Sequence, residues 1–81
     1  MMHKANCLEF KEGTCLTLAF EDGQIREYDM SDLFSKYPQL EALRNRSLFE
    51  SGRLAGSYGI IWNEDLDIEA ETIYQEGRSV N

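Results

Sequence analysis

The sequence contains few of the residues on which common metal and catalytic sites depend. Its 81 residues include one histidine, His3, and two cysteines, Cys7 and Cys15. Such a set cannot supply a structural zinc site from a single chain, and a secreted disulfide framework usually needs more cysteines. We therefore expect two reduced thiols in a cytosolic protein. His3 is expected in a frayed N-terminal segment, which makes it a poor anchor for catalysis.

Long apolar runs and enzyme motifs are also missing. No apolar stretch approaches the roughly 18–20 residues of a membrane span, and the N-terminal residues lead into no signal-peptide core. The serines lack the glycine-flanked elbow of hydrolases, and neither a glycine-rich phosphate loop nor a dinucleotide fingerprint occurs. We expect no enzymatic activity, no cofactor and no membrane partner.

Positive charge is scarce in this chain. It has 8 Lys and Arg residues against 15 Asp and Glu residues, a net charge of −7. Because nucleic-acid binding depends on Lys and Arg that displace counterions from phosphates, the chain is a poor candidate for it. The apolar share of 42% is that of a globular protein, and the length fits a single compact domain over residues 1–81.

The negative charge is concentrated on either side of a basic segment. Residues 21–32 have five acids and one base, and residues 54–81 have six acids and one base, whereas residues 33–53 have four bases and two acids. Such asymmetry steers association with a partner or between two copies of a chain, although a solvated helix face gives the same pattern. The residues predicted to bind a partner are Arg44, Arg46, Arg53 and Tyr37.

A run of carboxylates near the C-terminus is the alternative candidate for a ligand site. It comprises Glu64, Asp65, Asp67, Glu69 and Glu71. A calcium loop requires regularly spaced acids with a glycine at its sharp turn, whereas here Leu66 and Ile68 separate the acids and no glycine occurs. A solvated edge with two buried anchors explains the pattern more simply, so a metal or small-ligand site ranks lower.

Alternating apolar and polar residues predict a three-stranded antiparallel meander. The alternation is present in residues 5–11, 14–20 and 24–30. An odd-length loop around Gly13 and a three-residue loop that ends at Gly23 bury the most apolar surface. These loops predict three opposite pairs, which are Leu8 with Leu18, Phe10 with Leu16, and Ala19 with Ile25.

Short helices and two further strands are expected after the meander. Ser31 is a good N-cap, and Pro38 ends one short helix and begins the next. Asn45 divides this second helix, and Gly52 ends it. The remaining elements are strands at 53–55 and 58–62 and a C-terminal helix at 69–75, with Trp62 in the core. The predicted class is α+β in two layers.

Several short motifs are weak individually but keep a recognisable order along nearly the whole chain. They lie at residues 16–23, 28–31, 48–49, 58–62, 65–68 and 72–74, with Gly77. Together they resemble the small bacterial family called domain of unknown function 2442. Where that family often has proline at the start of the last helix, this chain has Ala70, which leaves the boundary of that helix open.

The resemblance implies a compact α+β domain in a bacterial cytoplasm and no established catalytic activity. Members are similar to small proteins encoded beside other short uncharacterised proteins, as in toxin–antitoxin pairs. We expect a non-enzymatic protein–protein interaction or regulatory module, antitoxin-like, whose partner is a neighbouring small toxin-like protein. A homodimeric structural module is the alternative.

Overall fold

The computed structural model describes residues 2–81, which form two antiparallel sheets, two α-helices and two 3₁₀ helices. The strands are β1 (Ala5–Phe10), β2 (Cys15–Phe20), β3 (Ile25–Asp29), β4 (Arg53–Leu54), β5 (Gly59–Asn63), β6 (Leu66–Glu69) and β7 (Arg78–Ser79). The helices are α1 (Arg46–Glu50) and α2 (Ala70–Glu76), with 3₁₀ helices at Met30–Leu33 and Pro38–Arg44. The sheet orders are β1-β2-β3-β7 and β4-β5-β6. The predicted α+β class is confirmed.

The meander has the predicted strand registers. Leu8 lies opposite Leu18, Phe10 opposite Leu16, and Ala19 opposite Ile25. Two glycines with positive φ make the loops, Gly13 at 63° and Gly23 at 92°, a conformation that other residues adopt only at a cost. Both cysteines are free. In this register Cys7 lies opposite Ala19 and does not lie opposite Cys15.

The first helix after the meander begins earlier than predicted. It is a 3₁₀ turn that starts at Met30, and its cap is Asp29, whose Oδ1 accepts a hydrogen bond from the Ser31 N–H at 3.0 Å. The assignment of Ser31 as the N-cap was therefore wrong. The last residue of β3 already supplies the capping carboxylate, so the chain passes from strand to helix without a linker.

The following helical segment agrees with the prediction in its boundaries. Pro38 is its first residue, and Asn45 separates the 3₁₀ helix from α1 by accepting a hydrogen bond from the Leu48 N–H at 3.0 Å. Proline favours the first position of a helix because it has no N–H to leave unpaired. The two helices therefore meet at a capped break.

Two strands were not assigned from the sequence. β6 is four residues long, and its pairing with β5 brings the backbone of Ile68 within 3.1 Å of where a Cβ at Gly59 would lie. β7 has two residues, which pair with Arg26 and Glu27 of β3. The alternation of apolar and polar residues in β6 covers only four residues, and β7 has only two, too few to distinguish a strand from a loop, so the partner strand defines both.

Both sheets and both α-helices contribute to a single cluster of buried side chains. Its largest fully buried member is Phe49, and Trp62 lies beside it with its indole N–H donating to the Phe49 carbonyl at 2.8 Å. The prediction of Trp62 as a core residue is confirmed. Within residues 2–81, no helix is long and apolar enough to cross a membrane.

Candidate functional site

A groove of about 1040 Å³ is lined by the segment from Asp32 to Leu40, the β4–β5 turn, β6 and α2. Met2 and Tyr28 complete its lining. We call it the acidic groove. Its walls come from both halves of the sequence, so it exists only in the folded protein.

Exposed apolar side chains are concentrated at this groove. Among residues 2–81, four large hydrophobic side chains are exposed, and three of them line it: Met2 at 46%, Tyr37 at 42% and Tyr58 at 41%. The fourth, Val80, lies outside it. Exposed apolar surface gathered in one place is typical of interaction sites.

The groove also has an apolar floor. Leu33 and Leu40 are buried core residues whose edges line it, and Tyr28 is buried there as well. A concave surface with a hydrophobic base and tyrosines at its border offers the type of contact found at the centre of protein interfaces.

Negative charge dominates the groove. Its lining has five carboxylates and one amine: Asp32, Asp67, Glu69, Glu71, Glu76 and Lys36. Of the carboxylates, only that of Glu71 has an ion pair or a side-chain hydrogen bond to another described residue. The ion pairs of Lys11, Arg46 and Arg78 all involve acids outside the groove. Four carboxylates therefore keep uncompensated charge on a shared surface.

The negative charge of these carboxylates affects the pKa of Tyr28. Burial raises its pKa most, and the negative charges of Asp32, Glu76 and Asp29 raise it further. Asp32 and Glu76 lie on different elements, so Tyr28 senses both sides of the groove. The electrostatic potential at its floor is negative.

His3 is held in place at the border of the groove, which corrects the expectation of a frayed terminus. Its backbone N–H donates to Glu71 Oε1 at 2.9 Å, and its ring stacks on Tyr74 with centroids 3.6 Å apart. Tyr74 in turn donates its hydroxyl proton to Asp22 at 2.6 Å. These contacts join the N-terminal segment to α2 and to the β2–β3 loop, and they place Met2 at the groove.

Glu71 gives this N-terminal attachment a pH dependence. A hydrogen bond from the Gln75 amide, followed by those from His3, lowers the pKa of Glu71 from 4.5 to about 2. A carboxylate with a lowered pKa in the folded state stabilises the protein above its unfolded pKa, and this stabilisation is lost as pH falls. We expect Glu71→Gln to lose less stability than the wild type between pH 4.5 and 2 in thermal unfolding.

The control for this prediction is Glu64→Gln, because Glu64 is exposed and its side chain has no hydrogen bond to another described residue. It should keep the acid sensitivity of the wild type. Equal acid sensitivity of Glu71→Gln and the wild type would contradict the role assigned to Glu71.

The structure does not gather the four predicted partner-binding residues into one groove. Tyr37 lines the acidic groove, whereas Arg46 lines a second groove of about 480 Å³ with Phe10, Cys15 and neighbouring polar residues. Arg46 also donates to Glu50 at 2.9 Å. Arg44 lies over the Phe34 ring at 4.9 Å, and Arg53 is exposed on β4. Two of the three arginines are thus engaged within the chain.

The carboxylate run near the C-terminus is divided by the fold. Asp67, Glu69 and Glu71 line the acidic groove, but Glu64 and Asp65 do not. Within the described part of the chain, no group of three His, Cys, Asp or Glu side chains is placed to hold a metal ion. The run contributes to a charged surface rather than forming a separate loop site.

Several residues that line the groove were not predicted as site residues from the sequence. Asp32 and Glu76 are far apart in the chain, and no local pattern connects them to Tyr58 or Met2. The available signals were Tyr37, which was predicted to bind a partner, and the uneven charge distribution. Both indicated an interaction surface, but only the tertiary structure locates it.

Most of the chain matches the model of a protein family. The family model described as "Protein of unknown function (DUF2442)" matches residues 7–79 of the chain. No curated protein matches the chain, and no solved structure does.

Proposed function

The chain belongs to this family of unknown function, DUF2442, and from its surface we propose that it is a small non-enzymatic protein–protein interaction module with a regulatory, antitoxin-like role. The acidic groove is its docking face, and the occupant is a partner protein. The observation that carries this proposal is the gathering of Met2, Tyr37 and Tyr58 around one concave surface.

The distribution of charge supports the same proposal. Clustered like charges destabilise a folded protein through self-repulsion, and a small domain has little stability to spare. The chain nevertheless leaves the groove carboxylates of Asp32, Asp67 and Glu76 without cationic partners, while ion pairs form elsewhere. Compensation by a bound partner is a physical reason for such an arrangement.

We also propose that the module acts in the cytoplasm of a bacterium, in keeping with its two free thiols. The antitoxin-like role follows from the gene pairing that the family resemblance implies. The partner in that case is a small toxin-like protein encoded beside this one.

Site-specific photo-crosslinking in the native host tests the docking face. A photoreactive phenylalanine analogue in place of Tyr58 is expected to give a covalent adduct with one recurring protein, because position 58 lines the groove. The same analogue at Val80 is the matched control, since Val80 is exposed to a similar degree but lies outside the groove. The captured protein, once purified, should bind the purified chain, and Tyr58→Ala should weaken that binding.

Two results would contradict the proposal. One is adduct formation that is equal at positions 58 and 80, because the contact would then be non-specific. The other is the absence of any adduct at position 58 when the chain is expressed at its normal level.

A further inference from the structure

We infer that the segment that occupies the acidic groove is basic, with arginine or lysine side chains on either side of an apolar residue. This inference rests on the proposed function, because it identifies the chemistry of the partner at the same docking face. Charge complementarity, the aromatic border of the groove and the position of the chain's own arginines support it.

Charge complementarity indicates that the occupant of the groove is positively charged. The side chains of Asp32, Asp67, Glu69 and Glu76 have no hydrogen bond or ion pair with any of residues 2–81, and each lines the groove. The amine of Lys36, the only base in the lining, lies 5.6 Å from the centre of the Tyr37 ring. An acidic or neutral segment would leave this negative potential unbalanced, whereas a basic one is attracted to it.

The border and floor define the shape of the contact. Tyr37 and Tyr58 offer aromatic faces, on which a guanidinium group stacks favourably. Between charged contacts, the edges of Leu33 and Leu40 can take an apolar side chain. The groove therefore fits an amphipathic segment better than it fits a run of lysines alone.

A second copy of the chain is a poor occupant. Each copy has a net charge of −7, so two copies repel at long range. In the basic segment that a second copy would offer, Arg44 lies over the Phe34 ring and Arg46 pairs with Glu50, which leaves Arg53 as its one arginine without such a contact. A separate basic protein meets neither obstacle.

Synthetic peptides test the inference with the full chain. The probe is a short capped peptide of alternating arginine and leucine, and its control has glutamate in place of arginine. By isothermal titration, the basic peptide should bind with an affinity that falls as salt is added, and the acidic peptide should not bind.

Two quadruple variants separate the groove from the overall charge. The first neutralises the groove with Asp32→Asn, Asp67→Asn, Glu69→Gln and Glu76→Gln. The second neutralises four exposed acids outside it, with Glu21→Gln, Glu41→Gln, Glu64→Gln and Asp65→Asn. Each variant removes four negative charges, so the two variants have the same net charge.

The groove variant should bind the basic peptide about 16-fold more weakly, since an exposed ion pair contributes about twofold and four are lost. The second variant should stay near the wild type. Equal weakening in both variants, or no binding of the basic peptide, would overturn the inference. If position 58 captures a partner whose contact segment is not basic, the inference fails while the proposed function stands. If no adduct forms at position 58 and the basic peptide does not bind, both the inference and the proposed function fail.

Discussion

Phe49→Ala is expected to destabilise the protein by about 3–5 kcal/mol, the usual cost of removing a buried phenylalanine side chain. A domain of this size has a total stability of only about 4–12 kcal/mol, on a typical per-residue value. The substitution should therefore remove a large fraction of the total stability. Chemical denaturation followed by circular dichroism measures the effect.

The size of this effect follows from the position of Phe49 in the core. Its side chain is 0% exposed, its ring meets that of Phe10 edge to face at 4.8 Å, and it stacks near Trp62 at 6.3 Å. Because α1, β1 and β5 each contribute one of these three rings, a cavity at Phe49 weakens the contact between both sheets and the helix. Little compensating movement is available, since protein interiors are densely packed.

Leu48→Ala is the matched control for Phe49→Ala. Leu48 is the preceding residue of α1, and its side chain is only half-buried at the border of the core. Removing it should cost clearly less, while its effect on helix propensity is similar. Equal costs for the two substitutions would show that Phe49 is not the centre of the core.

The parts of the fold that follow local rules could be predicted from the sequence. Alternation at Leu16, Leu18 and Phe20 defines one face of a strand, and a glycine that must adopt positive φ fixes the loop length and therefore the register. Trp62 could be assigned to the core because a small domain uses its large aromatic side chains to fill the core. In each case the information lies within a few residues of the element.

The remaining features depend on contacts between distant segments. β7 is a strand only because Arg78 and Ser79 meet β3. His3 is ordered only because α2 brings Glu71 and Tyr74 to it. The acidic groove belongs to the same class, since its charge comes from elements that have no common local pattern. These features require the tertiary structure, and they include the candidate site.

Gly52→Ala is the second substitution with a large expected effect. A Cβ at position 52 would lie 2.5 Å from Trp62 Nε1 and 2.8 Å from Cε2, closer than such atoms approach. The indole cannot move away without cost, because its N–H donates to the Phe49 carbonyl at 2.8 Å inside the core. Overpacking costs about 1–3 kcal/mol, and loss of a buried hydrogen bond adds about 1–3 kcal/mol.

A double-mutant cycle with Trp62→Leu distinguishes this steric mechanism from a general effect of alanine on the chain. A leucine side chain ends at its Cδ atoms, so it has no atom equivalent to Nε1 or Cε2, the two atoms nearest the new Cβ. Gly52→Ala should therefore cost much less in the Trp62→Leu background than in the wild type, as measured by chemical denaturation. If the cost is the same in both backgrounds, the contact between position 52 and the indole is not its cause. A reduced cost would show that Gly52 is required because it lets α1 and β4 pass directly against Trp62.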